Sequence, residues 1–312
     1  MKHSTEEPTY LIIGGTTKAA TTSVYKYLRD HPEICGSSLK ETRFFLNPSY
    51  PTPTPETYVD SKTEGYKQYF RSCTGEPVRV EATPTYLYSE QTPSALRRHL
   101  SDVRCVFILR DPIDRLVSWY RFAKQNGQIH RSISFEEYVE RQIEDEEASK
   151  RIAPWRALRQ GRYAGYLQNY VDVFDEDAIY VTFFEGVVEE TARCLKQVSQ
   201  FAEINPEFFD DYTFEVYNET RFMKSPFLHS LYRRVLRTIR YQVHTWPQVH
   251  DALRQLRSWL DPVYLALASD DKDAVDMSPR LRKRLRQYYA ADVATLTEML
   301  GCQPPWSISG DS

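Results

Sequence analysis

Glycine is scarce in this chain, 11 of 312 residues. Together with 41% apolar and 27% charged residues, that excludes collagen-like, mucin-like and disordered classes. Neither charge sign dominates. Lys plus Arg is 40 and Asp plus Glu is 43, a net of −3, which argues against a globally basic nucleic-acid binder. No apolar run approaches the roughly 18 residues needed to span a bilayer. The opening MKHSTEEPTY lacks the basic-then-apolar profile of a secretion signal. There are five cysteines, Cys35, Cys73, Cys105, Cys194 and Cys302, with no CxxC pair. That spacing supports neither a zinc knuckle nor a disulfide scaffold, and it points to a reducing cytoplasm. A soluble protein with an ordinary buried core is expected.

Strand and helix signals alternate. Tyr10 to Gly14 reads as a short buried strand broken by Gly14 and Gly15. Thr21 and Thr22 can cap the following helix, whose apolar face holds Val24, Tyr27 and Leu28. Ile34–Ser37, Val78–Glu81, Arg104–Leu109 and Ile179–Phe183 read as further strands, and residues 134–147 and 189–201 as helices. Residues 47–57 are proline-rich loop. Alternation of this kind predicts an α/β fold with a central, mainly parallel sheet. Beyond about residue 220 no strand is evident, and 226–242, 247–268 and 279–300 read as helices. The reading is one domain over 1–312, with an α/β core at 9–202 and a helical part at about 220–302. Residues 221–290 hold 14 Lys plus Arg, 6 Asp and no Glu. Their excess positive charge reads as solvated helix faces or as attraction for an anionic substrate or surface.

Two segments carry chemistry. The first is Gly14-Gly15-Thr16-Thr17-Lys18-Ala19-Ala20-Thr21-Thr22-Ser23, between a strand and a helix. Small residues let backbone N–H groups approach an anion, the helix start favours negative charge, and Lys18 adds a point charge. A nucleoside-triphosphate loop would end in Gly-Lys-Ser/Thr, but here the triplet is Ala20-Thr21-Thr22. The strand Arg104–Leu109 is followed by Arg110, where a magnesium-binding Asp would be expected. A plain packing turn is the competing reading. The second segment is Leu109-Arg110-Asp111-Pro112-Ile113-Asp114-Arg115-Leu116-Val117-Ser118. Asp111 suits an N-cap and Pro112 the first helical position. Arg110 and Ser118, two turns along, suit one phosphate monoester. Alternatively, Arg110 pairs with Asp114.

These segments resemble the sulfotransferases that use 3′-phosphoadenosine 5′-phosphosulfate (PAPS). The first is similar to the family's 5′-phosphosulfate loop and the second to its 3′-phosphate motif. Between them, Lys40-Glu41-Thr42-Arg43-Phe44-Phe45 resembles the Lys-Glu-x-x-Phe-Phe segment. Glu81-Ala82-Thr83-Pro84-Thr85-Tyr86 resembles the Glu-Lys-Thr-Pro-x-Tyr segment of heparan-sulfate-type enzymes. Four motifs in order cover about residues 9–202. The helical, basic last third looks more like bacterial members, as does the lack of an N-terminal anchor.

The resemblance implies a single α/β domain that transfers a sulfuryl group from PAPS to a hydroxyl of a carbohydrate or small-molecule acceptor, without a metal. It implies that Thr17, Lys18, Ala19, Ala20, Thr21, Thr22 and Ser23 hold the phosphosulfate and that Arg110 and Ser118 hold the 3′-phosphate. Arg221 and Lys224 fall where the family places a late cofactor loop. Glu41 matches the family's base, with a pKa raised by burial, or else forms an ion pair with Lys40 or Arg43. Glu81 is a second carboxylate, placed to orient the acceptor or hold Lys18. His31 and His99 read as structural. The family's Lys is Ala82 here, and Arg43 stands where a His commonly precedes Phe-Phe. A small-molecule kinase and a non-catalytic nucleotide or anionic-glycan binder are the alternatives.

Overall fold

The computed structural model describes residues 7–47, 63–144, 153–214, 222–223, 269–270, 275 and 277–306. Its elements run β1 (Thr9–Gly15), α1 (Thr21–Arg29), β2 (Ile34–Gly36), α2 (Thr63–Lys67), β3 (Val78–Ala82), α3 (Thr92–His99) and β4 (Val103–Leu109). Then come α4 (Pro112–Gln125), α5 (Phe135–Glu144), α6 (Tyr163–Val171), β5 (Ile179–Phe183), α7 (Phe184–Glu189), α8 (Thr191–Phe201), β6 (Phe222–Met223), β7 (Ser269–Asp270) and α9 (Pro279–Leu300). The chain divides into two compact units. One holds residues Met1–Arg115, Arg159–Asn218 and Arg284–Ser312, and the other Leu116–Leu158 and Glu219–Lys283.

The first unit is built on an all-parallel sheet in the order β2-β3-β1-β4-β5. All five strands fall where the sequence pattern predicts them; β1 and β4, covered on both faces, read as nearly unbroken apolar runs. Successive side chains point to opposite faces. On one face Tyr10 and Ile12 of β1 join Cys105, Phe107 and Leu109 of β4 in one core. On the other, Leu11 and Ile13 join Val106 and Ile108 in a second core. Leu11, Ile12 and Ile13 are wholly buried, and each such side chain stabilises the fold by about 1.5–3 kcal/mol.

Gly14 and Gly15 do not break β1, contrary to expectation; they end it inside the sheet. Their value is closeness. A Cβ on Gly14 would lie 2.7 Å from Phe107 Cε1, and one on Gly15 2.7 Å from Leu87 Cβ. His31 is structural as expected. It is 2% exposed, with Nε2 2.8 Å from the Asn205 carbonyl.

Two further expectations fail. Cys35 and Cys73 form a disulfide, 38 residues apart in sequence. Spacing alone hid it, because β2 and the short helical turn Gln68–Phe70 bring the two together only in the fold, where Ser38 N donates to Tyr69 O at 2.7 Å. Strand structure also occurs beyond residue 220, as the two-residue antiparallel pair β6–β7. It is too short to leave a period in the sequence. The expected helix at 279–300 is α9. Those at 226–242 and 247–268, and the loop at 48–57, lie outside the described residues. Among the described residues no helix is long and apolar enough to cross a membrane.

In the second unit, Tyr120, Phe135, Tyr138 and Trp155 pack edge to face or tilted. Tyr120 OH donates to the Ile133 carbonyl at 2.7 Å. Gln142, 3% exposed, accepts from Leu158 N at 2.9 Å and so ties α5 to the segment after it.

Candidate active site

Parallel strands put every C-terminal strand end on one edge of the sheet. Ligands of open α/β sheets bind outside that edge, where neighbouring connections run in opposite directions. The edge beside β1 is such a place, because the chain runs from β1 to β2 on one side and then from β3 across β1 to β4 on the other. The 16–20 loop, the 37–47 segment, residues 83–88 and Arg110 all leave from it.

The loop after β1 holds Thr17, Lys18, Ala19 and Ala20, and α1 begins with Thr21, Thr22 and Ser23. Lys18 (φ 68°) and Ala20 (φ 54°) adopt left-handed backbone, which costs roughly 1–2 kcal/mol for a residue with a Cβ. The expected capping by Thr21 or Thr22 does not occur. The N-cap is Ala20, and no side chain caps the helix. The threonines lie one and two positions too late, inside the first turn, and the first-turn N–H groups of a helix have no carbonyl four residues back. Ser23 N donates to Ala20 O at 2.9 Å. Ala19 is wholly buried, so it offers backbone only.

Thr16 N donates to the Ile108 carbonyl at 2.8 Å, and the side chains that brace this loop act on its oxygens. Arg110, directly after β4, donates from Nη1 to the Lys18 carbonyl at 3.0 Å. Its guanidinium stacks on Phe184, 4.2 Å from the ring centroid. Arg115, with no exposed surface, reaches Thr17 Oγ1 from Nη1 at 3.5 Å, and the Thr16 and Tyr88 hydroxyls bond to each other. The expected cap at α4 is present. Asp111 Oδ1 accepts from Ile113 N at 2.7 Å and Asp114 N at 3.1 Å. Ser118, half-buried, lies on the part of α4 that belongs to the second unit. Arg221 and Lys224 lie outside the described residues.

Glu41 sits two residues before Arg43, and both are left-handed, at φ 61° and 56°. Its carboxylate accepts from Lys40 Nζ at 3.2 Å and from Arg43 Nη2 at 2.8 Å. Burial pushes the carboxyl up, but the charges and hydrogen bonds of Lys40 and Arg43 outweigh it and bring the pKa down to about 2. The upward shift expected from burial is therefore corrected. The side chain is still 38% exposed, so desolvation loses to two adjacent cations.

Glu81 behaves oppositely. It is wholly buried at the end of β3. Thr42 and Thr83 hydroxyls donate to its Oε1 at 2.6 and 2.5 Å, and Tyr66 and Tyr86 hydroxyls to its Oε2 at 2.8 and 3.4 Å. Burial raises its pKa above the usual carboxylate value, and the four hydroxyls only partly oppose that. The expectation that Glu81 faces an acceptor or holds Lys18 is corrected. It has no exposed surface, and among the described residues its partners are hydroxyls.

Sequence reasoning missed Arg115, Tyr88, Phe184 and the hydroxyl cage of Thr42, Tyr66, Thr83 and Tyr86. Arg115 left one signal, a cation on the buried stripe that holds Ile113 and Leu116. The cage showed only in part: Thr42, Thr83 and Tyr86 lie in the two quoted motifs, but Tyr66 comes from α2, and the three segments meet only in the fold.

A family model, the sulfotransferase domain, matches residues 8–231. This chain belongs to the sulfotransferase-domain family. Among curated proteins, the membrane-associated sulfotransferase kil1 of Dictyostelium discoideum is 30% identical over 142 residues, 45% of this chain and 28% of that protein. Bifunctional heparan sulfate N-deacetylase/N-sulfotransferase 2 of Bos taurus is 23% identical over 214 residues, 66% of this chain and 23% of that protein. The chain thus spans about a quarter of the length of these two sulfotransferase relatives. A solved sulfotransferase from Alicyclobacillus acidocaldarius superposes with a TM-score of 0.66 at 20% identity, covering 96% of this chain and 98% of that one. At that identity the likeness is one of fold.

Proposed function

We propose that this chain transfers the sulfuryl group of PAPS to a hydroxyl of a carbohydrate or small-molecule acceptor. The observation that carries the reading is the uncapped start of α1, with Lys18 and Ala20 in left-handed backbone at the C-terminal edge of the sheet. Such a start favours an anion through its N–H groups and the helix dipole. The phosphosulfate lies against residues 17–23, and Arg110 takes the 3′-phosphate.

The acceptor oxygen attacks sulfur in line as the S–O bond to the 5′-phosphate breaks. Lys18 neutralises charge gathering on the departing oxygen, and adenosine 3′,5′-bisphosphate leaves. Glu41 takes the acceptor's proton. Its ion pairs make it a weak base at rest, and it gains basicity as the anionic donor draws Lys40 or Arg43 away. With neither the Walker lysine nor a strand-end Asp in the sequence, no divalent metal is assigned a role. The Cys35–Cys73 bridge favours an oxidising compartment over the cytoplasm expected from the cysteine spacing.

The test is incubation with radiolabelled PAPS, a panel of hydroxyl acceptors and excess chelator. Label in the acceptor supports the reading. Turnover that requires magnesium and a nucleoside triphosphate would replace it with a phosphotransferase.

A further inference from the structure

Glu81 is too deeply buried to touch a substrate, yet its surroundings point at residues that are not. A carboxylate only accepts hydrogen bonds, whereas a hydroxyl has one proton and two lone pairs. Thr42 and Thr83 each give their proton to Glu81 Oε1. The Tyr86 proton lies between Glu81 Oε2 at 3.4 Å and Thr42 Oγ1 at 3.3 Å. All three hydroxyls therefore turn lone pairs the other way, and each meets a backbone N–H. Arg43 N donates to Thr83 Oγ1 at 3.3 Å, Phe44 N to Thr42 Oγ1 at 3.3 Å, and Phe45 N to Tyr86 OH at 3.2 Å. Three consecutive N–H groups are held by hydroxyls that one carboxylate orients. Glu41 N adds a fourth tie, to the Ala82 carbonyl at 2.9 Å.

We propose that Glu81 is a positioning residue, which through the Thr42, Thr83 and Tyr86 hydroxyls fixes the 41–45 turn and so sets the direction of the Glu41 and Arg43 side chains. The role rests on the functional reading above insofar as Glu41 is the base. Left-handed backbone at Glu41 and Arg43 is unfavourable alone and persists because the surroundings over-determine it. An acceptor-only group at the centre is what makes three freely rotating hydroxyls agree. A glutamine there would present an NH₂ donor to two of them and upset the pattern.

The experiment uses the full chain with Glu81→Gln, Thr83→Val and Tyr86→Phe. Hydrogen exchange of the Arg43, Phe44 and Phe45 amides is read by NMR near pH 7, because near pH 4 Glu81, whose pKa burial raises, would itself be protonated. In wild type the three amides are expected to be protected by the hydroxyls that hold them. In the variants the turn relaxes and their exchange should quicken about 10-fold or more. Turnover should fall roughly 10–100-fold with adenosine 3′,5′-bisphosphate affinity unchanged within about twofold. In a Glu41→Gln background, Glu81→Gln should cost less than about twofold more, the non-additivity of residues acting through one another.

Folded variants that keep the three amides protected, or losses that simply add, would overturn the proposal. If Glu81→Gln does not fold, the two single-hydroxyl variants decide. A wild-type chain that transfers no sulfuryl group sinks the functional reading and leaves the exchange result to stand. Unchanged exchange with transfer intact sinks the positioning role alone.

Discussion

The loop at 16–20 and the turn at 41–45 make the same backbone excursion and are held in opposite ways. Each carries two left-handed residues with side chains, two positions apart: Lys18 and Ala20 in one, Glu41 and Arg43 in the other. The first is braced on its oxygens, by Arg110 at the Lys18 carbonyl and Arg115 at the Thr17 hydroxyl. The second is braced on its N–H groups, by hydroxyls gathered on Glu81. A loop that must offer donors to an anion is best held by cations behind it. A turn that must offer a carboxylate can spend its N–H groups on the scaffold. The sign of the group behind each loop is the same as that of the group the loop presents.

The largest effects should separate the two. Glu41→Gln should lower turnover by about 10²–10⁴-fold, the usual worth of a general base, with little change in cofactor affinity. Lys18→Ala should lower turnover and also weaken PAPS binding, because its charge acts in ground and transition states alike. Steady-state kinetics with calorimetric titration read both. If Glu41→Gln keeps near-normal turnover, the division between the loops is wrong.

Arg110→Ala comes next. It removes both the brace on Lys18 and the proposed 3′-phosphate contact. It should cost roughly 2–5 kcal/mol of adenosine 3′,5′-bisphosphate binding, while Glu41 keeps its ionisation. Equal affinity of wild type for adenosine 5′-phosphate and the 3′,5′-bisphosphate would count against the assignment of Arg110.

Reducing the Cys35–Cys73 bridge should act on the second region only. The bridge ties the end of β2, which leads into the 41–45 turn, to the chain beyond residue 70. Its loss should lower unfolding free energy by about 2–4 kcal/mol, measured by denaturant titration with and without reductant. Bisphosphate affinity of the folded, reduced chain should hold.

The smallest effects are with pH, and the two carboxylates should oppose each other. Glu41 has its pKa lowered in the folded chain, so it stabilises the fold above the unfolded carboxylate range. That contribution is lost as pH falls through about 2. Glu81 has its pKa raised, so its ionised form opposes folding, and protonation above the usual carboxylate range relieves that. Stability curves of Glu41→Gln and Glu81→Gln should diverge from wild type in opposite directions near pH 4 to 6, a window bracketing the ordinary carboxylate value of about 4.3. If Glu41 is the base, kcat/KM, which reports the free enzyme, should show no acid limb near that ordinary value.

The five strands, the anion loop and the Asp111 cap were legible because each is local. Apolar runs, small residues and a cap followed by proline leave their mark in consecutive positions. Glu41 was legible as a site residue through its neighbours in Lys40-Glu41-Thr42-Arg43-Phe44-Phe45, but its pKa was not. The winner between burial and ion pairing depends on where Lys40 and Arg43 turn. Glu81 was legible as a carboxylate of the site, but its burial, its cage and the disulfide were not, because Thr42 reaches it across 39 residues and Tyr66 across 15, and the two cysteines across 38. The Thr21 and Thr22 caps failed because a cap is a matter of one position, and the left-handed Ala20 took it.

The contact of Gly14 with Phe107 also limits how this chain can vary. A methyl group at 14 and a ring at 107 claim the same space, so the two positions are free to change only together. Randomising residue 14 alone should return glycine almost exclusively. Randomising 14 and 107 jointly should return alanine at 14 beside smaller aliphatic residues at 107, and such pairs would trace the boundary between the sheet and its anion loop in the sequences of related proteins.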